Sequence, residues 1–229
     1  MNTREGLSQR PQTHLRSGPR NPVPSKLERA HTRVVRTDGG IPRESRELRN
    51  GHQAAVVWLT GMPAVGKTTI ARGLELQLSN SRHLTVLLDG DELRLGLSAD
   101  LGFSPADRTE NIRRAGEVAR VLFDQGAIVL CAFVSPYRDA RARVRSLLPR
   151  GRFIEIFVKA DVDTCRGRDP VGLYARAYNG QLDQFTGVSA PYEEPVAPEL
   201  TVDTRALTVA ASVDMVLDLL RARGLLKQR

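Results

Sequence analysis

The chain has 229 residues, with 34 Lys and Arg against 26 Asp and Glu, and a net charge of +8. No stretch approaches the ~18–20 apolar residues of a membrane-spanning helix, so no membrane contact through a span is expected. Two cysteines, Cys131 and Cys165, are too few for a disulfide framework and lack metal-ligand spacing, which fits a reducing, cytoplasmic location.

Residues 1–50 hold most of the net charge, with 11 basic and five acidic side chains. They contain several prolines and few periodic apolar positions, a composition that cannot offset the entropy of ordering the chain. We predict a disordered basic tail over 1–50 and one folded domain over 51–229. Organelle targeting and contact with nucleic acid or a membrane surface are the alternatives for the tail, but we expect no nucleic-acid partner.

The folded part alternates short apolar runs with amphipathic segments. The runs are too short for helices and lack polar alternation, which is typical of strands buried on both faces of a parallel sheet. Predicted strands cover 54–59, 84–88, 127–134, 153–158 and 200–202, and predicted helices cover 67–80, 105–124, 137–147, 161–168 and 207–222. Ser104 and Asp107 bracket Pro105 as a helix-capping pattern. This order predicts a doubly wound α/β fold with a mostly parallel, five-stranded sheet and helices on both faces.

The first predicted strand leads into a glycine-rich loop that matches the G-x-x-x-x-G-K-[ST] pattern of nucleoside triphosphate-binding proteins. Its backbone N–H groups and the following helix would hold ATP phosphates, with Lys67 reaching the β- and γ-phosphates and Thr68 placed for Mg²⁺. Alone, this pattern does not separate a kinase from a GTPase or a motor ATPase. The candidate ATP-binding residues are Gly61, Met62, Pro63, Ala64, Val65, Gly66, Lys67, Thr68 and Thr69.

Charged residues follow the second predicted strand. Asp89 and Asp91 come at its carboxyl end, which in a doubly wound sheet faces the ligand crevice. These carboxylates could serve Mg²⁺ and a substrate hydroxyl, although an Asp-Gly turn on the surface is an alternative. Arg94, Arg108 and Asn111 could converge on an anion, or the last two could lie on a solvated helix face.

Several segments, occurring in order over about residues 50–225, resemble the adenylyl-sulfate kinases. The segments are GMPAVGKTT (61–69), LDGDELR (88–94), LGFSPADRTENIRRAGEVA (101–119), FVSPYR (133–138), RDPVGLY (168–174), FTGVSAPYE (185–193) and LTVDT (200–204). A generic phosphate-loop match would not supply this series. The resemblance implies transfer of the ATP γ-phosphoryl group to the 3′-hydroxyl of adenosine 5′-phosphosulfate, and it also implies a possible homodimer.

The resemblance also implies a role for each candidate residue. Lys67, Asp89 and Asp91 would be catalytic, with Thr68 and Asp89 organising Mg²⁺ and Asp91 orienting the 3′-hydroxyl. Arg168 would stack on the adenine of ATP, and residues 169–192 would form a lid that excludes water. The implied substrate-binding residues are Asp91, Arg94, Phe103, Arg108, Asn111, Val134, Ser135, Gly172, Leu173 and Phe185, with Phe103 and Phe185 enclosing the substrate adenine.

Ser135 matches a serine that is linked in the family to a phosphorylated enzyme form. Direct transfer needs no covalent step, and the sequence shows no base beside Ser135 that would activate it. We therefore expect a strand-end serine whose backbone lines the pocket, and keep a phosphoserine as the alternative.

Three departures from the family pattern affect the lid and the phosphate loop. Val171 replaces a common Lys, Ser189 and Ala190 replace an acidic pair or Asp-Ser, and Met62 to Val65 replace Leu-Ser-Gly-(Ala/Ser). We expect weaker substrate affinity or altered lid kinetics, with catalysis retained. The alternatives are a kinase of the same fold acting on another nucleotide or small alcohol, and a catalytically reduced regulatory domain.

Overall fold

The computed structural model describes residues 40–227, in which five parallel strands form one sheet in the order β2-β3-β1-β4-β5. The predicted doubly wound α/β fold is confirmed. The strands are β1 (Ala55–Thr60), β2 (Thr85–Asp89), β3 (Ile128–Ala132), β4 (Phe153–Lys159) and β5 (Leu200–Asp203). The helices are α1 (Arg43–Asn50), α2 (Lys67–Asn80), α3 (Gly90–Arg94), α4 (Pro105–Asp124), α5 (Arg138–Ser146), α6 (Val162–Arg168), α7 (Leu173–Tyr178) and α8 (Val209–Ala222).

The central strand β1 is buried on both faces, as its continuous apolar sequence predicts. Because successive side chains of a strand point to opposite faces, Val57 and Leu59 lie in a core with α2 and α8, whereas Val56 and Trp58 lie in a second core with α4 and α5. Because β3 pairs in parallel with both β1 and β2, the carboxyl ends of these three strands lie side by side at one edge of the sheet.

Helix α1 shows that the predicted domain boundary at residue 50 is wrong for residues 43–50. Its carboxylate Glu47 is buried, accepts a hydrogen bond from the Ala54 N–H at 2.9 Å and lies 3.4 Å from the Arg152 guanidinium. Gly51 ends the helix in the left-handed conformation, with φ of 71°. The contact with Arg152 joins residues distant in sequence, so composition alone could not reveal it. The rest of the predicted tail, residues 1–39, lies outside the described residues.

The structure also bears on membrane-spanning helices and on the two cysteines. Within residues 40–227, no helix has the length and apolar character needed to cross a membrane. Cys131 and Cys165 are both buried, and burial raises the pKa of each thiol.

Candidate active site

The phosphate loop, residues 61–66, connects β1 to α2 through unusual backbone geometry. A Cβ atom on Gly61 would collide with the carbonyl oxygen of Val158 on the neighbouring strand, so only glycine fits there. Gly66 has φ of 102° and immediately precedes α2, which aims the first N–H groups of the helix at the loop. Ala64 has φ of 58°, a left-handed conformation that costs an L-residue ~1–2 kcal/mol.

Lys67 is the first residue of α2, and its ammonium group lies folded over the loop. Nζ donates hydrogen bonds to the carbonyl oxygens of Gly61 at 3.1 Å and Met62 at 2.7 Å. Burial lowers the pKa of Lys67 to about 8, while the negative charges of Asp91 and Asp89 act in the opposite direction. A cation with so little water around it attracts a phosphate more strongly than an exposed one.

The hydroxyl group of Thr68 links the phosphate loop to the end of β2. It donates to Asp89 Oδ2 at 2.7 Å, while Asp89 Oδ1 accepts the Asp91 N–H at 2.9 Å and so caps α3. No cluster of three or more metal-ligating His, Cys, Asp and Glu side chains occurs within residues 40–227. Two protein oxygens, from Thr68 and Asp89, fit Mg²⁺, which usually takes one or two carboxylates together with waters and substrate phosphates.

A cavity of about 760 Å³ opens beside these residues. Most of the candidate residues line it, which places the predicted ATP and substrate residues around one space. They are Pro63, Ala64, Gly66, Lys67, Thr68, Thr69, Asp89, Asp91, Arg94, Phe103, Arg108, Asn111, Val134, Ser135, Arg168, Leu173 and Phe185. Four candidates are not among the lining residues: Gly61, Met62, Val65 and Gly172. Val65 is fully buried in the core, so its side chain anchors the loop.

Arg94 and Arg108 both contact Phe103, an exposed aromatic ring at the cavity. The Arg94 guanidinium carbon lies 4.2 Å from the ring centroid and that of Arg108 lies 5.4 Å from it. Arg94 also donates to the carbonyls of Leu101 and Gly102, and Arg108 donates to those of Phe103 and Gln184. Burial lowers the pKa of both arginines, but a guanidinium stays charged at neutral pH.

Two buried polar atoms among the cavity-lining residues lack hydrogen-bond partners within residues 40–227: Asn111 Oδ1 and Thr186 Oγ1. A buried polar atom without a partner costs ~1–3 kcal/mol, so each is suited to receive a ligand group. Asn111 was a candidate from the sequence, whereas Thr186 was missed. It follows Phe185 directly, and the FTG segment was the one signal that could have indicated it.

Tyr174 connects the predicted lid to the phosphate loop. Its hydroxyl donates to the Pro63 carbonyl at 3.1 Å, and its ring lies edge-on to Phe185 with centroids 4.9 Å apart. Burial raises the pKa of Tyr174, so the phenol keeps its proton and stays a donor. Sequence reasoning missed this residue because its role depends on contacts across the fold.

Comparison with known proteins agrees with this geometry. The profile of the family Adenylylsulphate kinase matches residues 53–203. The chain belongs to the adenylyl-sulfate kinase family. The adenylyl-sulfate kinase of Geotalea daltonii is 53% identical over 178 residues, which is 78% of this chain and 88% of that protein.

Solved adenylyl-sulfate kinase structures share the fold. The APS kinase CysC of Mycobacterium tuberculosis, solved in complex with AMPPNP and APS, has a TM-score of 0.71 and 39% identity, covering 74% of this chain and 99% of that chain. The hexameric APS kinase of Thiobacillus denitrificans has a TM-score of 0.60 and 31% identity, covering 89% of this chain and 38% of that longer chain.

Ser135 is buried, and its hydroxyl group is fully engaged in hydrogen bonds. Oγ accepts from Trp58 Nε1 at 3.1 Å and donates to Thr60 Oγ1 at 2.9 Å, and the residue has φ of 39°. Neither partner is a base that could activate the hydroxyl. This arrangement favours the expected structural role of Ser135, and the phosphoserine stays untested.

A buried ion pair between Arg141 and Glu155 holds the backbone at Ser135 and at the end of the lid. Arg141 Nε lies 2.7 Å from Glu155 on β4, while the other nitrogens of its guanidinium donate to the carbonyls of Ser135 and Glu193. The pocket loop and the end of the lid are therefore attached to one side chain. Glu155 interrupts the apolar run of β4, which is a sequence signal of a buried partner, but the sequence does not identify Arg141 as that partner.

The lid positions that depart from the family pattern differ in exposure. Val171 lines the cavity with 67% of its surface exposed, so a longer cationic side chain would have room there. Ala190 is buried, and the Ser189 hydroxyl accepts the Phe185 N–H at 2.9 Å. The serine thus fixes the turn that carries Phe185.

Proposed function

We propose that this protein transfers the γ-phosphoryl group of ATP to the 3′-hydroxyl of adenosine 5′-phosphosulfate, producing 3′-phosphoadenylyl sulfate and ADP in sulfate activation. One observation carries the proposal. The phosphate loop, two carboxylates and an arginine–asparagine group line the same cavity in a member of the adenylyl-sulfate kinase family. Relatives in the family are named adenylyl-sulfate kinases, and the structure of one was solved in complex with AMPPNP and APS.

Each part of the cavity has a task that suits its chemistry. Lys67 and the loop N–H groups hold the β- and γ-phosphates, and the Thr68 hydroxyl and Asp89 carboxylate would hold Mg²⁺. Bound there, Mg²⁺ would neutralise charge that develops on the transferred phosphoryl group. Asp91 accepts a hydrogen bond from the 3′-hydroxyl and orients it for in-line attack. A carboxylate suffices, because phosphoryl transfer depends mainly on positioning and charge neutralisation.

The remaining residues bind and enclose the substrates. Arg94, Arg108 and Asn111 bind the phosphosulfate end, where two guanidinium groups and an amide match an anionic anhydride. Phe103 and Phe185 enclose the substrate adenine, and Arg168 stacks on the adenine of ATP. The segment 169–192 closes over the cavity and keeps water from the phosphoryl group. The homodimer and the cytoplasmic location stay predictions.

A panel of acceptors tests the proposed function. Enzyme and Mg-ATP are incubated with adenosine 5′-phosphosulfate, adenosine 5′-phosphate, cytidine 5′-phosphate or shikimate, and kcat/KM is measured by ADP formation. We expect adenosine 5′-phosphosulfate to exceed every other acceptor by at least ~100-fold, since a buried site discriminates strongly when its polar groups lose their partners. A higher kcat/KM for another acceptor would show a kinase with a different substrate. Failure to form ADP with any of the acceptors would favour a regulatory domain.

Two neighbouring carboxylates on α3 supply a matched pair of variants. Asp91→Asn should lower kcat at least ~100-fold, within the range that positioned acid–base groups contribute. Glu92→Gln is the control, because Glu92 is exposed and pairs with Arg72 at 3.6 Å, a contact of little energetic value. Equal losses in both variants would contradict the role of Asp91.

A further inference from the structure

Thr204 lies just beyond β5 and contacts both the phosphate loop and Arg168. Its hydroxyl donates to the Val65 carbonyl at 3.1 Å, with the Lys159 carbonyl at 3.3 Å. The same oxygen accepts from Arg168 Nη1 at 2.8 Å, and the Thr204 carbonyl accepts from Arg168 Nη2 at 2.8 Å. One residue therefore joins the loop backbone to the guanidinium at the end of α6.

The two hydrogen bonds fix the plane of the Arg168 guanidinium. Both Nη atoms are occupied by oxygens of a single residue, so the group cannot rotate without losing both contacts. A guanidinium fixed by its edge keeps its flat face available for stacking on a planar ring. Arg168 lines the cavity, whereas Thr204 is not among the lining residues, so Thr204 would act through Arg168.

The residue after Thr204 holds the other end of α6. Arg205 Nη1 lies 3.1 Å from Asp161 Oδ2, and Asp161 Oδ1 accepts the Thr164 N–H at 2.7 Å as the cap of the helix. Arg205 is also paired with Asp203 at 2.6 Å. The segment 203–205 thus contacts the start and the end of α6, which limits movement of the helix relative to the phosphate loop.

We propose that Thr204 is a positioning residue for the donor nucleotide, which sets the distance between the base-stacking face of Arg168 and the phosphate loop. The proposal rests on the proposed function in taking ATP as the donor and Arg168 as the residue that stacks on its adenine. The Thr204 hydroxyl orients Arg168 against the nucleotide base and does not contact the acceptor. Its bond to the Val65 carbonyl supplies no N–H group to the phosphates, so its removal should affect recognition of the base and leave recognition of the phosphates nearly unchanged.

Three variants test this role by steady-state kinetics. Thr204→Val is nearly isosteric and removes the hydroxyl, and we expect it to raise KM for ATP about tenfold, the effect of ~1.4 kcal/mol. The KM for the acceptor and kcat should change less than threefold. Thr204→Ser keeps the hydroxyl and should restore KM for ATP to within about twofold. Thr201→Val, at an exposed position of β5, is the matched control and should match the wild type.

A binding experiment separates the base from the phosphates without requiring turnover. Titration calorimetry compares AMPPNP with inorganic tripolyphosphate, which has the phosphates without the base. Thr204→Val should weaken AMPPNP about tenfold and leave tripolyphosphate unchanged. Arg168→Ala should weaken AMPPNP similarly, and the double variant should show no further loss, because both changes remove one interaction.

Several outcomes would overturn the proposal: equal weakening of both ligands, additive losses in the double variant, or no rescue by serine. These outcomes are distinguishable from failure of the proposed function. If the variants show the expected binding of AMPPNP and tripolyphosphate while the wild type does not phosphorylate adenosine 5′-phosphosulfate, the acceptor assignment fails and the role of Thr204 stands.

Discussion

The hydroxyl of Thr68 and Oδ2 of Asp89 are 2.7 Å apart, joining the first turn of α2 to the end of β2. This bond brings together two oxygens that suit Mg²⁺ and lie on separate structural elements. Parallel pairing of the sheet places them there, because β1 and β2 both pair with β3 and their carboxyl ends share one edge.

Replacing Val171 with lysine should strengthen acceptor binding. Val171 is exposed at the cavity, and a new ammonium group there would attract the substrate's negative groups. One charged contact is worth ~1.5–3 kcal/mol, so the KM for adenosine 5′-phosphosulfate should fall by about 10-fold or more. Val196→Lys is the control, since Val196 is 83% exposed and does not line the cavity. An unchanged KM in Val171→Lys would show that this departure has no effect on affinity.

Ser135→Ala should preserve turnover and reduce stability. The change removes the hydroxyl that pairs with Trp58 and Thr60, which leaves a buried indole N–H unpaired at a cost of ~1–3 kcal/mol. We expect kcat within about fivefold of the wild type and a lower free energy of unfolding in urea. Abolished turnover by a folded variant, together with a phosphorylated Ser135 in the wild type, would favour the covalent intermediate.

Ala64→Gly should stabilise the domain, although glycine usually destabilises proteins. Ala64 has φ of 58°, where glycine avoids a steric cost of ~1–2 kcal/mol but loses ~0.5–1 kcal/mol through the greater entropy of the unfolded chain. The free energy of unfolding should rise by about 0.5–1 kcal/mol in urea titrations. Ala142→Gly, at an exposed position within α5, is the matched control and should destabilise by about 1 kcal/mol. Destabilisation by both variants would show that the backbone of the loop is unstrained at Ala64.

His52 should make the stability of the domain depend on pH. Nε2 accepts the Leu84 N–H at 3.1 Å and Nδ1 faces the Gln53 carbonyl at 3.2 Å, an arrangement of the neutral ring. Burial lowers the pKa of His52, against the opposite effects of the Gln53 carbonyl and the Glu47 charge, and the His83 ring lies edge-on at 5.2 Å.

The sign of this dependence follows from which state binds the proton first. The unfolded chain takes up a proton near pH 6.5, above the pKa of the folded state, so stability is complete above that pH and falls as the pH drops below it. The melting temperature should decrease between pH 7.5 and 5.5 by a larger amount in the wild type than in His52→Gln. Identical slopes in the two proteins would contradict the assignment.

The strands and longer helices were predictable because each depends on local pattern. Ser104 caps α4 as expected, accepting the Asp107 N–H at 3.2 Å, and the phosphate loop follows β1 as its spacing predicts. Helix α1 was not predictable, since its stability depends on Glu47 meeting Ala54 and Arg152.

The candidate site shows the same division. Most of the candidate residues line one cavity, and those of the phosphate loop, at Asp89 and at Ser135 do so because they lie at or just beyond strand ends. Tyr174, Thr186 and Thr204 were missed as site residues, because their importance depends on which backbone atoms they reach or leave unpaired. The sequence indicates these three residues only by placing them within the segments that resemble the family.

The central claim is tested most directly by locating the transferred phosphoryl group. Enzyme in excess is mixed with Mg-ATP and adenosine 5′-phosphosulfate for one turnover, and the products are separated and examined by phosphorus NMR. We predict ADP and one new nucleotide in equal amounts, with the phosphoryl group on the 3′-oxygen. Formation of ADP and inorganic phosphate alone, or a phosphoryl group at another position, would contradict the assignment of this protein as an adenylyl-sulfate kinase.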